Sequence, residues 1–130
     1  MRRGLRSSLH TPADFAPRAL FSAPHHRGRT PLDGIYAAVT RRTLDDRNPI
    51  GWVPEQKIAV EQALRAYTTG SAFAGFQEQA VGMIRAGMLA DLVMIDQDIT
   101  RLKPESIRDA RVMLTMVGGR VVFDRDGMAH

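Results

Sequence analysis

Apolar positions along this chain follow a helical period first and an extended one later. Ile35, Tyr36, Ala38 and Val39 fall on one face of a short helix, with Asp33 as its expected N-cap and Arg42 in its last turn. Asp45-Asp46-Arg47-Asn48-Pro49-Ile50-Gly51 then breaks the pattern, since Asp and Asn favour turns and Pro49 disfavours helical geometry in the residue before it. Val60, Ala63, Leu64 and Tyr67 recur at i, i+3, i+4 and i+7, which predicts a second helix with one buried face. Thr68-Thr69-Gly70-Ser71 predicts a kink or a new start at Gly70, with Ala72, Phe73 and Phe76 forming a further turn or two.

Beyond Gly82 the period changes. Gly82 and Gly87 are expected to bracket a short extended piece, and Leu89 to Ile95 reads as an aliphatic strand ending at Asp96. Pro104 to Ile107 predicts one helical turn, because proline is tolerated at the first helical position. Arg111 to Val117 is a nearly continuous apolar strand. Gly118-Gly119 before Arg120 to Phe123 signals a hairpin, since two adjacent glycines can both take positive φ in a type I′ turn. The two long apolar strands read as buried on both faces. The expected class is α+β, with helices first and a small antiparallel β unit last.

Length limits the architecture. With 130 residues the chain is one ordinary domain or part of a larger one, and it is too short for a complete (β/α)₈ barrel. There is no cysteine, so disulfides, thiolate metal sites and cysteine nucleophiles are excluded. No apolar run approaches the roughly 18 residues of a membrane span, so no integral membrane role is expected.

Charge is uneven. Residues 1 to 31 hold six arginines against one acid, Asp14, for a net of +5, whereas the remaining 99 residues hold 12 basic and 13 acidic side chains. The basic character therefore belongs to the first quarter and not to a folded surface, which argues against nucleic-acid binding. That quarter also carries Pro12, Pro17, Pro24 and Pro31 without periodic apolar positions, so a disordered arm is expected. His25-His26 invites a metal reading, but neighbouring side chains of an extended segment point to opposite sides and no carboxylates cluster nearby, so a solvent-exposed pair is expected.

Four ordered blocks carry a family resemblance: GIYAAVTRRT (34–43), GWVPEQKIAVEQALRAYTTGSA (51–72), GMIRAGMLADLVMID (82–96) and RDARVMLTMVGGRVVF (108–123). Together they resemble the C-terminal end of the amidohydrolase superfamily, in the branch of amidohydrolase family 3 that includes N-substituted formamide deformylases. The match read from these blocks covers about residues 31 to 124. The resemblance implies three segments: 1–31 as the basic arm, 32–81 as the last helices of a truncated (β/α)₈ barrel, and 82–130 as part of a small β-sandwich. It also implies a chemistry, the hydrolysis of a non-peptide C–N bond by a metal-activated water held among histidines, an acidic or modified lysine ligand and an aspartate.

Departures from the family pattern concern those ligands. The histidine-rich strands have no counterpart in this sequence. The family's Gly-Ser-Asp stretch, expected around residues 20 to 25, is replaced by Leu20-Phe21-Ser22-Ala23-Pro24-His25-His26. No catalytic or metal-binding residue is therefore assigned, no substrate-binding residue is identified, and Asp33 matches a position that is not a ligand in the family. Ala59 stands where the family often has a serine, losing an N-cap worth about 1 kcal/mol, and Met88 replaces a common lysine. The simultaneous change of charge, proline content and periodicity at Pro31 raises the expectation of a foreign or frame-shifted start.

The remaining candidates have structural readings. Asp91 is expected at a strand end, Asp96 and Asp98 in a solvated loop, and Tyr67 beside Thr68 in the core. Trp52, beside Pro54, is expected to anchor a loop in full-length relatives and to be exposed on this chain. The expected function is that of a C-terminal amidohydrolase segment, inactive alone, with no cofactor of its own and a zinc-like divalent metal implied for the full-length family. A non-catalytic interaction or oligomerisation module, or one half of a split amidohydrolase, is the alternative. Expected partners are a second copy or a complementary N-terminal amidohydrolase piece, with no nucleic acid and no membrane, and the expected location is cytoplasmic.

Overall fold

The computed structural model describes residues 30–127. The expectations for the basic arm, His25-His26 and the missing Gly-Ser-Asp stretch lie outside them. Helix α1 spans Pro31–Thr40, and its N-cap is Thr30, not Asp33. The Asp33 N–H donates to Thr30 Oγ1 at 3.3 Å and the Thr30 N–H donates to Asp33 Oδ2 at 2.9 Å, a reciprocal capping box with Pro31 in the first turn. Asp33 thus serves the cap from three residues inside the helix. The helix stops at Arg41, which turns left-handed at φ 57°, so the basic pair lies beyond the last turn instead of in it.

Helix α2 spans Val60–Arg65 and begins without a side-chain cap, as Ala59 has no oxygen to offer. Gln62 supplies half of a capping box, its Oε1 accepting the Ala59 N–H at 2.9 Å. At Gly70, where a kink or a new start was expected, the helix is irregular but continuous. Gly70 is helical (φ −66°, ψ −43°), and the chain passes through one wide π-turn, Ala66–Gly70, directly into α3 at Ser71–Ala74. Thr68, Thr69 and Ser71 donate their hydroxyls back to the carbonyls of Leu64, Arg65 and Ala66 at 2.8, 3.3 and 3.0 Å, which bends helices without ending them. The wide turn absorbs one residue, so that Ala72 rather than Ser71 is buried.

Residues 82–83 bend and 86–87 turn, and no strand forms between Gly82 and Gly87. Three strands follow, β1 at Leu92–Ile95, β2 at Val112–Val117 and β3 at Arg120–Asp124, in one antiparallel sheet ordered β1-β2-β3. A six-residue 3₁₀ segment, Pro104–Asp109, precedes β2. The predicted hairpin is present, with Gly118 (φ 55°) and Gly119 (φ 79°) both left-handed and Val117 paired to Arg120. The class is α+β.

The core belongs to the helices. Leu32, Ile35, Tyr36 and Val39 of α1 pack with Val60 and Ala63 of α2 and with Ile99, Ile107 and Ala110. Tyr36 and Ile107 are the largest fully buried side chains, and burying an isoleucine of this kind contributes roughly 1.5–3 kcal/mol. The sheet reaches this core only at one end, through Ile95 and Val112. Val93, Met94, Val117, Val121, Val122 and Phe123 are exposed and Val112 to Met116 are half-buried, so the two strands that read as buried on both faces are only partly covered by described residues.

Candidate functional site

Of the three acids singled out, Asp91 and Asp96 tie the ends of the sheet and Asp98 holds the loop after β1. Asp91 Oδ1 accepts the Gly118 N–H at 2.7 Å, and the Gly119 N–H donates to the Ala90 carbonyl at 3.0 Å, which fixes the hairpin turn to the start of β1. Asp96 Oδ1 accepts the Arg111 N–H at 2.8 Å while its own N–H donates to the Arg111 carbonyl at 3.0 Å, closing the other end of the β1–β2 pair. Asp98 Oδ1 accepts the Thr100 hydroxyl at 2.6 Å, and Arg101 lies 3.2 Å from Oδ2. The Thr100 hydroxyl, then the Thr100 N–H, hold the Asp98 carboxyl below its ordinary value. The three therefore have separate structural partners and do not converge on a common ligand.

Tyr67 packs against the helical core, and its hydroxyl lies over Gly34 of α1. A Cβ at position 34 would fall on that hydroxyl and 2.8 Å from ring Cζ, so glycine is required there for a close approach. Partial burial, with the nearby Asp33 carboxylate adding to it, raises the Tyr67 phenol above its ordinary value. Thr68 beside it is turned back onto its own helix. Trp52 is 72% exposed, and the loop carrying it is held by Arg41, whose carbonyl accepts the Trp52 N–H at 2.7 Å and whose Nε donates to the Trp52 carbonyl at 3.0 Å.

A polar cluster that local pattern did not reveal joins the loop after α1 to the 3₁₀ segment. Arg108 donates to both carboxylate oxygens of Asp46 at 3.0 Å, and its guanidinium stands 5.7 Å from the Tyr36 ring centre. The Asp46 contact raises the already high pKa of Arg108. Arg42 and Glu105 add a looser pair at 3.8 Å. In the same loop Asp45 accepts the Thr43 hydroxyl and the Arg47 N–H, which lower its pKa in that order. Every member of the cluster has a charged or hydrogen-bonding partner, and its chemistry is that of a clamp.

Metal chemistry has no purchase on these residues. The described residues contain no histidine and no cysteine, since His10, His25, His26 and His130 all lie outside them. Among the described residues no three His, Cys, Asp or Glu side chains group as ligands. One shielded carboxylate oxygen, Glu78 Oε2, lacks a hydrogen-bond partner, and a single oxygen does not make a catalytic zinc site, which needs about three protein ligands. The donor set thus does not fit the metal that the resemblance implies. No described helix is long and apolar enough to cross a membrane.

What these residues share with known proteins is sequence. The sequence model of the amidohydrolase family matches residues 24–123, and the chain belongs to that family, whose members are generally metal-dependent. Among curated relatives, amidohydrolase YtcJ of Bacillus subtilis is 27% identical over 95 residues, covering 73% of this chain and 18% of its own length. An N-substituted formamide deformylase of Arthrobacter pascens is 29% identical over 115 residues, covering 88% of this chain and 21% of its own. The Arabidopsis thaliana protein LONG AFTER FAR-RED 3 is 33% identical over 95 residues, 72% of this chain and 15% of its own length. The chain therefore spans about a fifth or less of the relatives it matches. No solved structure is a significant match. The family match begins at residue 24, seven residues before Pro31.

Proposed function

We propose that this chain supplies the C-terminal part of an amidohydrolase-type fold and does not itself carry the hydrolytic centre. Residues 32–81 take the place of the last barrel helices and 82–130 that of a small β-sandwich segment, with the ligands for a zinc-like metal provided by other parts of such an enzyme. One observation carries this reading: the family match runs from 24 to 123, yet residues 30–127 contain no histidine and no group of potential ligands. The test is hydrolysis of an N-substituted formamide, the substrate class named for the Arthrobacter relative, by the purified chain with added zinc. No turnover is expected. Turnover abolished by a chelator would overturn the reading.

A second reading, a non-catalytic interaction module or one half of a split amidohydrolase, is favoured by the uncovered apolar sheet. Sedimentation separates the two. A concentration-independent monomer speaks against a module that pairs with itself, and restored hydrolysis on adding a polypeptide with the remaining amidohydrolase fold speaks for a split enzyme.

A further inference from the structure

The described residues contain two Asp-Gly pairs, Asp33-Gly34 and Asp126-Gly127, in opposite settings. The first lies inside α1. Its carboxylate is engaged by the Thr30 N–H at 2.9 Å, the Gly34 N–H donates to the Thr30 carbonyl at 3.3 Å, and Tyr67 closes over Gly34. The second lies just past β3, with both residues exposed and the Asp126 N–H donating to Asp124 Oδ1 at 3.3 Å. Gly127 is left-handed at φ 64°, with open space where a Cβ would stand.

We infer that Asp126 is a site of spontaneous backbone isomerisation to isoaspartate, while Asp33 is protected by the fold. The Gly127 amide nitrogen attacks the Asp126 side-chain carbon and gives up its proton. The carboxyl oxygen departs as water, and a five-membered succinimide forms. Water then adds at either ring carbonyl. Addition at the side-chain carbonyl restores aspartate, and addition at the main-chain carbonyl leaves the chain running through the side chain. The step is dehydration followed by hydration, so no oxidant or reductant is consumed.

The attack needs a backbone free to bring nitrogen onto the carboxyl carbon. Glycine at an open position allows this, whereas a helical, hydrogen-bonded pair must first open locally. The product inserts a methylene into the main chain beyond β3 and creates a β-linked aspartate that a carboxyl methyltransferase of that specificity would recognise.

The experiment ages the full chain at neutral pH, then cleaves after Lys57 and Lys103, which puts the two pairs in separate peptides. Fragmentation mass spectrometry counts β-linked aspartate in each. In the folded chain isoaspartate accumulates at Asp126 at least about tenfold faster than at Asp33, in denaturant the two rates converge, and Gly127→Ala slows the first. Equal rates in the folded chain, a faster Asp33, or a ratio unchanged by denaturant would overturn the inference.

Discussion

The helical half and the sheet contain similar aliphatic residues and treat them differently. In the first, α1, α2 and the 3₁₀ segment enclose Tyr36 and Ile107 completely, and long-range polar contacts such as Arg108 to Asp46 fasten the loops around them. In the second, β2 lies between two neighbours, yet Val93, Val122 and Phe123 remain exposed. Backbone pairing with only partial side-chain burial therefore shapes the sheet, while full side-chain burial stabilises the helical half. The curated relatives YtcJ and the formamide deformylase are each about four times as long as this chain.

The sharpest way to break this contrast is a pair of truncations. Ile107→Ala should cost about 2–5 kcal/mol in urea unfolding, whereas Val93→Ala should stay within about 0.5 kcal/mol. Comparable losses at both positions would erase the distinction. Next in size, Gly34→Ala should cost about 1–3 kcal/mol by forcing Tyr67 away, and combining it with Tyr67→Ala should give less than the sum of the two. An additive double mutant would place the strain elsewhere.

Caps give smaller effects. Thr30→Ala should lose about 1 kcal/mol by opening the box at α1, and Ala59→Ser should gain about 0.5–1 kcal/mol, because Gln62 already occupies the reciprocal position. Thermal melts of the two variants should move in opposite directions. The smallest effect is a pH dependence. With its folded pKa raised above the ordinary 10.0, Tyr67 holds its proton longer folded than unfolded. The stability this implies is fully present below pH 10 and declines as pH rises through the folded value. Tyr67→Phe should flatten that part of the alkaline unfolding profile, and an unchanged slope would assign it to another group.

Local patterns made some of this legible. The glycine pair announced its hairpin, and the helical spacing of Ile35, Tyr36 and Val39 marked the buried face of α1. Periodicity identifies a face but not the width of a turn, so Thr68 to Ser71 read as a kink or a new start without showing that the irregularity is a π-turn with hydroxyl back-bonding. Thr30 and Asp33 are both good caps, and only geometry shows that they act together. Arg108 and Asp46 lie 62 positions apart, beyond any local signal. Apolar content predicted strands covered on both faces, because composition records what a strand is suited to bury and not what lies beside it. Neither histidine nor cysteine occurs among residues 30–127.

Native-state hydrogen exchange on the full chain measures the contrast most directly, because amide protection reports how costly it is to open each element. The slowest amides are expected in α1 around Tyr36 and in the 104–109 segment, with β3 exchanging well before them. Slowest exchange in β2 and β3, with α1 already open, would contradict the assignment of the folded core to the helical half.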